Sequence, residues 1–484
     1  MLHYRAGRPV THHDREQVPV VHSSMNIATR CLARLGIGAA ERDAVRPDRT
    51  ALEAQSERLW DRAGRVLTTG LWSVSHGAFR YPDGVFPLLA QRGEGCMLWD
   101  TTGRAYIDWM IGWGPVILGY RHPAVERAIR EQLVEGPLLS LLHPLEVEVA
   151  ERLCDAVPCA ERVAFGKNGS DVLAAAVRVA RAFTRREIVL FHGYHGFHDW
   201  YMAAHPACEG IPEALRDLIH EFAYNDVEGL ARLFDRFGDR VAAVVMEPTN
   251  IALPAPGFLE SVRRMTSDNG SLLVFDEIIT GFRLARGGAQ QAFGVVPDLA
   301  CVGKALANGM PLSALVGRGD IMQTVHRVGY GITYRGETLS LAAARACLEI
   351  FEREPVAKRL AATGAALRSL YHEARNRIGV DTTLIGPDAR QSFAFAGSRR
   401  ITPLGCQTLF VQECLKRGVL TNGNVLPCLA HDEAAVARSA QVFAESLEVV
   451  ARAVAAECLD GFLQVPPLPV FFEDASHERV GDAS

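Results

Sequence analysis

The chain has 484 residues, 48% of them hydrophobic and 22% charged, with a formal net charge of −5. That is an ordinary soluble globular composition for roughly two to four domains or lobes, with no global bias toward nucleic acid or anionic membranes. Its eleven scattered cysteines contain no C-x-x-C, no apolar run approaches membrane-spanning length, and the polar start MLHYRAGRPV has no signal-peptide core, so a cytoplasmic protein with reduced thiols is expected rather than a disulfide scaffold, zinc site or membrane protein.

In chain order, residues 1–50 read as an N-terminal extension, with a short helix over Met25–Gly38. Gly36-Ile37-Gly38 lacks a third glycine and a preceding strand, so it is a helix C-terminal turn rather than a dinucleotide loop. Ala51–Leu67 reads as helix, Phe79–Asp108 as strands joined by tight turns at Asp83-Gly84 and Thr102-Gly103, and Trp109–Tyr120 as a glycine-rich, aromatic loop of site-lining character. Helices follow from His122-Pro123 to about Val134 and over Leu145–Val157. Then strands and helices alternate: strand Arg162–Phe165, helix Ser170–Phe183, strand Glu187–Phe191, strand Val241–Met246, helix Gly257–Asn269, and strands Leu272–Phe275, Leu299–Val302 and Leu312–Val316. Such alternation predicts an α/β fold with a mostly parallel sheet covered on both faces. Leu339–Phe351 and Val356–Ile378 read as helices, 381–430 as short strands, and Asp432–Glu457 as a final amphipathic helix. The expected division is 51–120 and 346–465 as the two parts of a small α+β domain, 121–345 as the large domain, and 466–484 as a tail.

The chemistry-bearing residues fall at strand ends. Asp276 follows Leu272–Phe275, and Lys304 follows Leu299–Val302. Ligands sit at the carboxyl ends of strands in open α/β sheets. A lysine and an acid delivered there suit pyridoxal phosphate, the lysine joining its aldehyde as a Schiff base and the acid keeping its ring nitrogen protonated. Lys167-Asn168-Gly169-Ser170-Asp171 opens a helix after a strand, which reads either as a phosphate site or as a plain N-cap. In FHGYHGFHDW the histidines recur every third residue, but glycines break a helical metal-ligand face; Tyr194 and His195 read better as a platform for an aromatic ring.

Together, GWGPVILGYRHPAV, KNGSD, GYHGFHDWY, VVMEP, VFDEIITGFR, PDLACVGKALANGMPLSALVGR and TYRGETLSLAAA resemble, in order, the class III pyridoxal-phosphate-dependent aminotransferases, most of all the branch containing glutamate-1-semialdehyde 2,1-aminomutase. The resemblance spans about residues 70–455 and implies a fold type I transferase. It implies Lys304 as the Schiff-base lysine, Asp276 against the pyridine nitrogen, Gly169 and Ser170 on the phosphate, Tyr194 on the ring, and Glu247 on the ring side. It further implies Thr333 reaching the phosphate of a second subunit, hence an obligate homodimer with shared sites, and Trp113 at the substrate entrance.

Departures from the pattern bear on substrate. Asn-Gly-Ser-Asp stands where the family usually has Ser-Gly-Thr-Glu, keeping the glycine and the hydroxyl. Arg335 stands where a small residue is usual, and Arg80 lies near, but out of register with, a substrate arginine. Thr421–His431 is shorter than the aminomutase segment and lacks its acid. A transaminase moving nitrogen from an amino-acid donor to a small carbonyl compound is therefore expected ahead of an aminomutase, and either ahead of a non-catalytic protein on the same scaffold.

Overall fold

The computed structural model describes residues 51–67, 85 and 89–464. The extension over residues 1–50 with its expected helix, Arg80, the turn at Asp83-Gly84 and the tail from 466 lie outside them. Helix α1 (Ala51–Val66) is followed by an antiparallel meander of β1 (Ala90–Glu94), β2 (Met97–Asp100) and β3 (Ala105–Asp108).

Seven strands make the central sheet: β4 (Arg162–Gly166), β5 (Ile188–His192), β6 (Ile219–Glu221), β7 (Val241–Met246), β8 (Leu272–Glu277), β9 (Leu299–Val302) and β10 (Ser313–Gly317), in the order β4-β10-β9-β8-β7-β5-β6. The sheet is parallel except for β10, which runs against both its neighbours. Helices α2 (Pro123–Leu133) and α3 (Pro144–Ala156) precede it; α4 (Gly169–Thr184), α5 (Val227–Phe237), α6 (Phe258–Asn269) and α7 (Gly288–Phe293) lie between its strands, and α8 (Thr338–Arg353) follows. The central strands are apolar throughout because both faces are covered. Leu273 and Phe275 of β8 join one core with Phe258 and Leu341, whereas Leu272 and Val274 join the other with Ala176 and Val179. This two-residue alternation decides which strand-end side chains reach the site.

A second body of structure mixes both ends of the chain. Beyond α9 (Val356–Ile378) come β11 (Thr382–Ile385), β12 (Gln391–Phe395), helix α10 (Pro403–Lys416), β13 (Val419–Leu420), β14 (Asn424–Val425) and α11 (Glu433–Ala455). β13 pairs in parallel with β3, and β11, β12 and β14 form a three-stranded sheet. Trp109 and Ile111 share a core with Tyr371, Phe393, Phe410 and Phe443.

Helix α10 corrects the expectation of strands throughout 381–430. Its residues from Thr408 to Leu415 are all buried, polar Gln412 and Glu413 included, so no polar face survives to mark a helical period. The overlooked signal is Thr402-Pro403: the Thr402 hydroxyl accepts from Gly405 N, and proline occupies the first helical turn.

Candidate active site

Register sets the site. In the parallel ladder His192 pairs with Met246 and Met246 with Phe275, so Gly193, Glu247 and Asp276 leave the sheet at one level. Asp276 and Glu277 then part, because consecutive residues of a strand point to opposite faces. Asp276, 5% exposed, points to the α4 side, where its Oδ1 accepts from Ile278 N at 3.1 Å and its Oδ2 lies 2.8 Å from His195 Nδ1. Glu277 points the other way. It is fully buried, accepts from Thr280 Oγ1 and from the backbone N–H groups of Ala289 and Gln290, and burial raises its pKa. The acid pair thus divides into one group for the site and one that anchors α7.

Lys304 lies two residues beyond β9, after Gly303, with φ at +41°. It is half-buried. Burial, and then the nearby Arg390 guanidinium, lower its pKa to about 8, against the opposing pull of Glu247 and Asp276. A lysine at 8 has about one-tenth of its amine neutral at pH 7, some hundreds of times more than an ordinary one. Ile278 spans the gap to the helix side: a Cβ on Gly303 or on Gly169 would come within 3.0 or 3.1 Å of its side chain.

Arg390, between β11 and β12, is a site residue that sequence reasoning missed. Its Nη1 lies 3.1 Å from Glu247 Oε2, and its other Nη donates to Asn250. Glu247 also accepts from Tyr194 N at 3.1 Å. Burial alone would raise the Glu247 carboxyl, but Arg390 and the Tyr194 N–H hold it below the usual carboxylate range. Nothing in PDARQS distinguishes Arg390 from a surface arginine.

The loop after β5 closes the helix side. Tyr194 is half exposed and meets Tyr201 edge-on. His195 offers no open face as a ring platform: it is fully buried, stacked on Trp200, and bonded to Asp276. His192 instead bonds the Phe222 carbonyl, and His198 lies 3.7 Å from Asp171. Gly196 has φ at +95°, and a Cβ there would fall 2.1 Å from Ser170 Oγ. The loop therefore packs directly on the start of α4, with Phe197 N donating to Ser170 Oγ at 3.1 Å.

At that start the N-cap reading of KNGSD holds. Asn168 Oδ1 accepts from Asp171 N, and Asp171 Oδ2 accepts from the N–H groups of Lys167 and Asn168. This capping box leaves the N–H groups of Gly169 and Ser170 without a partner inside the helix. Ser170 Oγ accepts from Phe197, so its own hydrogen can still be donated. Two backbone donors, a hydroxyl and the positive end of a 16-residue helix suit a phosphate.

Arg283, also missed, ties the surrounding loops. Fully buried, it donates to the carbonyls of Gly114, Ala389 and Pro427, and burial lowers its pKa to about 10. Trp113 sits beside that contact with φ at +70° and packs against a small cluster made of Tyr106, Met110, Val411, Leu415 and Leu420. Thr333 and Arg335 are exposed on this chain. The segment that carries them ends at Glu337, which caps α8 and bonds Lys167 Nζ at 3.0 Å.

The sequence profile of the family Aminotransferase class-III matches residues 79–382. A protein of Syntrophobacter fumaroxidans named glutamate-1-semialdehyde 2,1-aminomutase is 35% identical over 391 residues, covering 75% of this chain and 90% of that protein. The structure resembles the PLP form of the FumI protein of Sphingopyxis sp. MTA144, with a TM-score of 0.80 at 29% identity over 87% of this chain and all of that one. It also resembles an omega-transaminase from Sphaerobacter thermophilus, with a TM-score of 0.74 at 25% identity over 82% of this chain and 98% of that one.

Proposed function

We propose that this chain, which belongs to the class III aminotransferase family and uses pyridoxal 5′-phosphate, moves an amino group from an amino-acid donor to a small keto or aldehyde acceptor. The observation that carries the reading is the placing of Asp276 at the end of β8 and of Lys304 just beyond the neighbouring β9, the lysine brought to about 8 by burial and Arg390.

The residues present fit the cofactor. Gly169, Ser170 and the start of α4 would hold its phosphate, Asp276 its ring nitrogen, Tyr194 its ring face and Lys304 its aldehyde carbon. The bound group supplies an aldehyde that captures amines and a ring that withdraws electrons. The protein supplies the rest. Lys304, once displaced, can take the proton from the nitrogen-bearing carbon of a donor and return it elsewhere, a task suited to an amine poised near neutrality. Asp276 would accept from the ring N–H.

Arg390 is the charged neighbour acting most strongly on Lys304. A guanidinium in that position can receive the carboxylate of an amino-acid donor when Glu247 yields it. This supports a carboxylate-bearing donor and replaces Arg80 and Arg335 as first candidate for that contact. The segment Thr421–His431 has no acid, and its backbone is pinned by Leu426 N to the Trp109 carbonyl and by Leu429 N to the Ile117 carbonyl. A second reading, an aminomutase, is favoured by the name of the 35% identical relative.

A homodimer with shared sites is part of the proposal. Leu141 and Leu142 are 83% and 68% exposed, and Tyr334 is 59% exposed. Thr338 N bonds the Pro137 carbonyl, joining the two apolar segments. The second of these segments carries Thr333, the residue expected to serve a second subunit. All cysteines among the described residues are free thiols, which supports a reducing compartment such as the cytoplasm, and no helix among those residues is long and apolar enough to cross a membrane.

The test is a half-reaction screen: amino donors are added singly to the loaded protein, and its visible absorption and the released keto acid are followed. Stoichiometric keto acid from a carboxylate-bearing donor supports transamination. Complete conversion of glutamate 1-semialdehyde alone, with no keto acid released by any donor, would replace it with the aminomutase.

A further inference from the structure

Lys304 opens a short helical turn that ends at Asn308, and both of these residues are left-handed, at φ +41° and +46°. A residue other than glycine costs energy in that region and stays there only where its surroundings fix it; asparagine takes the conformation more readily than lysine. Between the two, Ala305, Leu306 and Ala307 are buried in the large core. A further tie comes from the Asn308 amide. Its Oδ1 accepts from Leu118 N at 2.9 Å and its Nδ2 donates to the Gly119 carbonyl at 3.0 Å, across 190 and 189 residues of chain. The acceptor and the donor of one side chain thus meet a backbone donor and a backbone acceptor, and turning the amide over would break both bonds.

Leu118 and Gly119 belong to the loop Trp109–Tyr120, which meets the lysine a second time. Its residues Ile111, Gly112, Trp113 and Gly114 all have positive φ, from +42° to +99°. This left-handed turn brings Gly114 beside the lysine: a Cβ there would lie 3.9 Å from both Lys304 Cδ and Arg283 Nη2. The Gly114 carbonyl accepts from Arg283 at 2.7 Å. Gly309, next after Asn308, packs on the same loop, since its Cβ would stand 3.5 Å from Val116 Cγ2. The loop therefore lies against the methylenes of Lys304, and the Asn308 amide fastens it to the lysine's own turn.

We propose that Asn308 is a positioning residue for Lys304: by clamping Leu118 and Gly119 it keeps the Trp109–Tyr120 loop packed on the lysine and the lysine's turn in its left-handed form. Without the clamp the turn relaxes toward ordinary φ, the loop parts from it, and water reaches the amine. A displacement of about 1 Å at a reacting group lowers rates by up to about a hundredfold. The role rests on the family's cofactor joining Lys304 but not on which substrates the enzyme takes, so it stands whether the donor screen yields a transaminase or an aminomutase.

Cofactor-free protein tests it. Asn308→Gly leaves a residue at ease at φ +46° and removes only the amide. In hydrogen exchange the peptide carrying Leu118 should lose protection, while peptides from α11 keep theirs. Capture of pyridoxal phosphate, fixed with borohydride and located on Lys304 by peptide mass, should slow about tenfold. Its pH midpoint should rise from about 8 toward 10.5, because burial is the main cause of the lowering, with Arg390 and Arg283 adding to it and Glu247 and Asp276 opposing it. Gly379→Ala, in another turn, should change neither rate nor midpoint. Wild-type rate and midpoint in Asn308→Gly, or unchanged protection at Leu118, would overturn the proposal; wild-type protein that captures nothing on Lys304 would overturn it together with the cofactor site. If Asn308→Gly does not fold, Asn308→Asp decides. It keeps an acceptor for Leu118 N and loses only the donor to the Gly119 carbonyl, so capture should still slow, and an unchanged rate defeats the idea.

Discussion

Glu247 and Arg390 meet across 143 residues of chain, Oε2 to Nη1 at 3.1 Å, with side chains 8% and 15% exposed. One opens the loop after β7 and the other precedes β12, so the pair joins the large sheet to the three-stranded one, and both its charges act on Lys304.

Arg390→Met should strand a buried carboxylate, a loss of about 3 kcal/mol for a pair broken from one side. The Glu247 pKa is depressed in the fold, so the pair's contribution is complete above the ordinary carboxylate range and is lost as pH falls below it. Urea midpoints of wild type and variant should therefore differ at pH 7 and converge on acidification. The variant should also have a Lys304 pKa higher than about 8, because a lowering charge has gone.

Lys304 itself sets a pH window. Uptake of pyridoxal phosphate by cofactor-free protein, fixed with borohydride and located by peptide mass, should rise as pH passes about 8 and level off above it. A profile still climbing near the ordinary 10.5 would contradict the burial argument. The folded lysine binds fewer protons than the unfolded one between these values, so this group adds stability as pH rises across the window. Lys304→Ala should retain no cofactor after borohydride.

Gly196→Ala should weaken cofactor binding about tenfold and cost about 1–2 kcal/mol, since the new methyl meets Ser170 Oγ at 2.1 Å on a backbone at φ +95°. Gly379→Ala is the control: its φ is +82°, but nothing lies within 4 Å of the added Cβ. It should lose stability alone, with pyridoxal phosphate affinity by fluorescence titration unchanged.

Asp276→Asn should keep the visible colour and lose turnover by at least about a hundredfold, as for removal of one fixed charge partner of a reacting group. Steady-state assays with the donor found in the screen measure it; unimpaired turnover would take Asp276 out of its role.

Lys304→Ala and Thr333→Ala chains, each weak alone, should regain activity when unfolded and refolded together. A hybrid has one site with both residues intact, so an equal mixture should approach about a quarter of wild-type activity. Hybrids without gain would place Thr333 outside the second subunit's site.

Residues whose role depends on their own strand or turn were legible in the chain. Asp276 and Lys304 end apolar runs, and Gly169-Ser170 opens a helix, so local pattern placed all four at the strand ends and helix start where the fold has them. Arg390 and Arg283 were not legible, because an arginine acquires meaning from what is folded around it. His195 was legible as a site residue but not in its part: its partner Asp276 is 81 residues away. Helix α10 was misread because burial on every side erased its period.

By itself, then, the chain determined the parallel sheet, its strand ends and the family to which they belong, since hydrophobic alternation and short motifs are properties of neighbours in sequence. Tertiary structure decided which of two adjacent acids faces the site, since only packing gives the two faces of β8 different surroundings. It also decided what surrounds each group: His195 bonded to Asp276, and Arg390 acting on Glu247 and Lys304. Charge and desolvation act through space, and the groups that supply them here lie tens to more than a hundred residues apart along the chain.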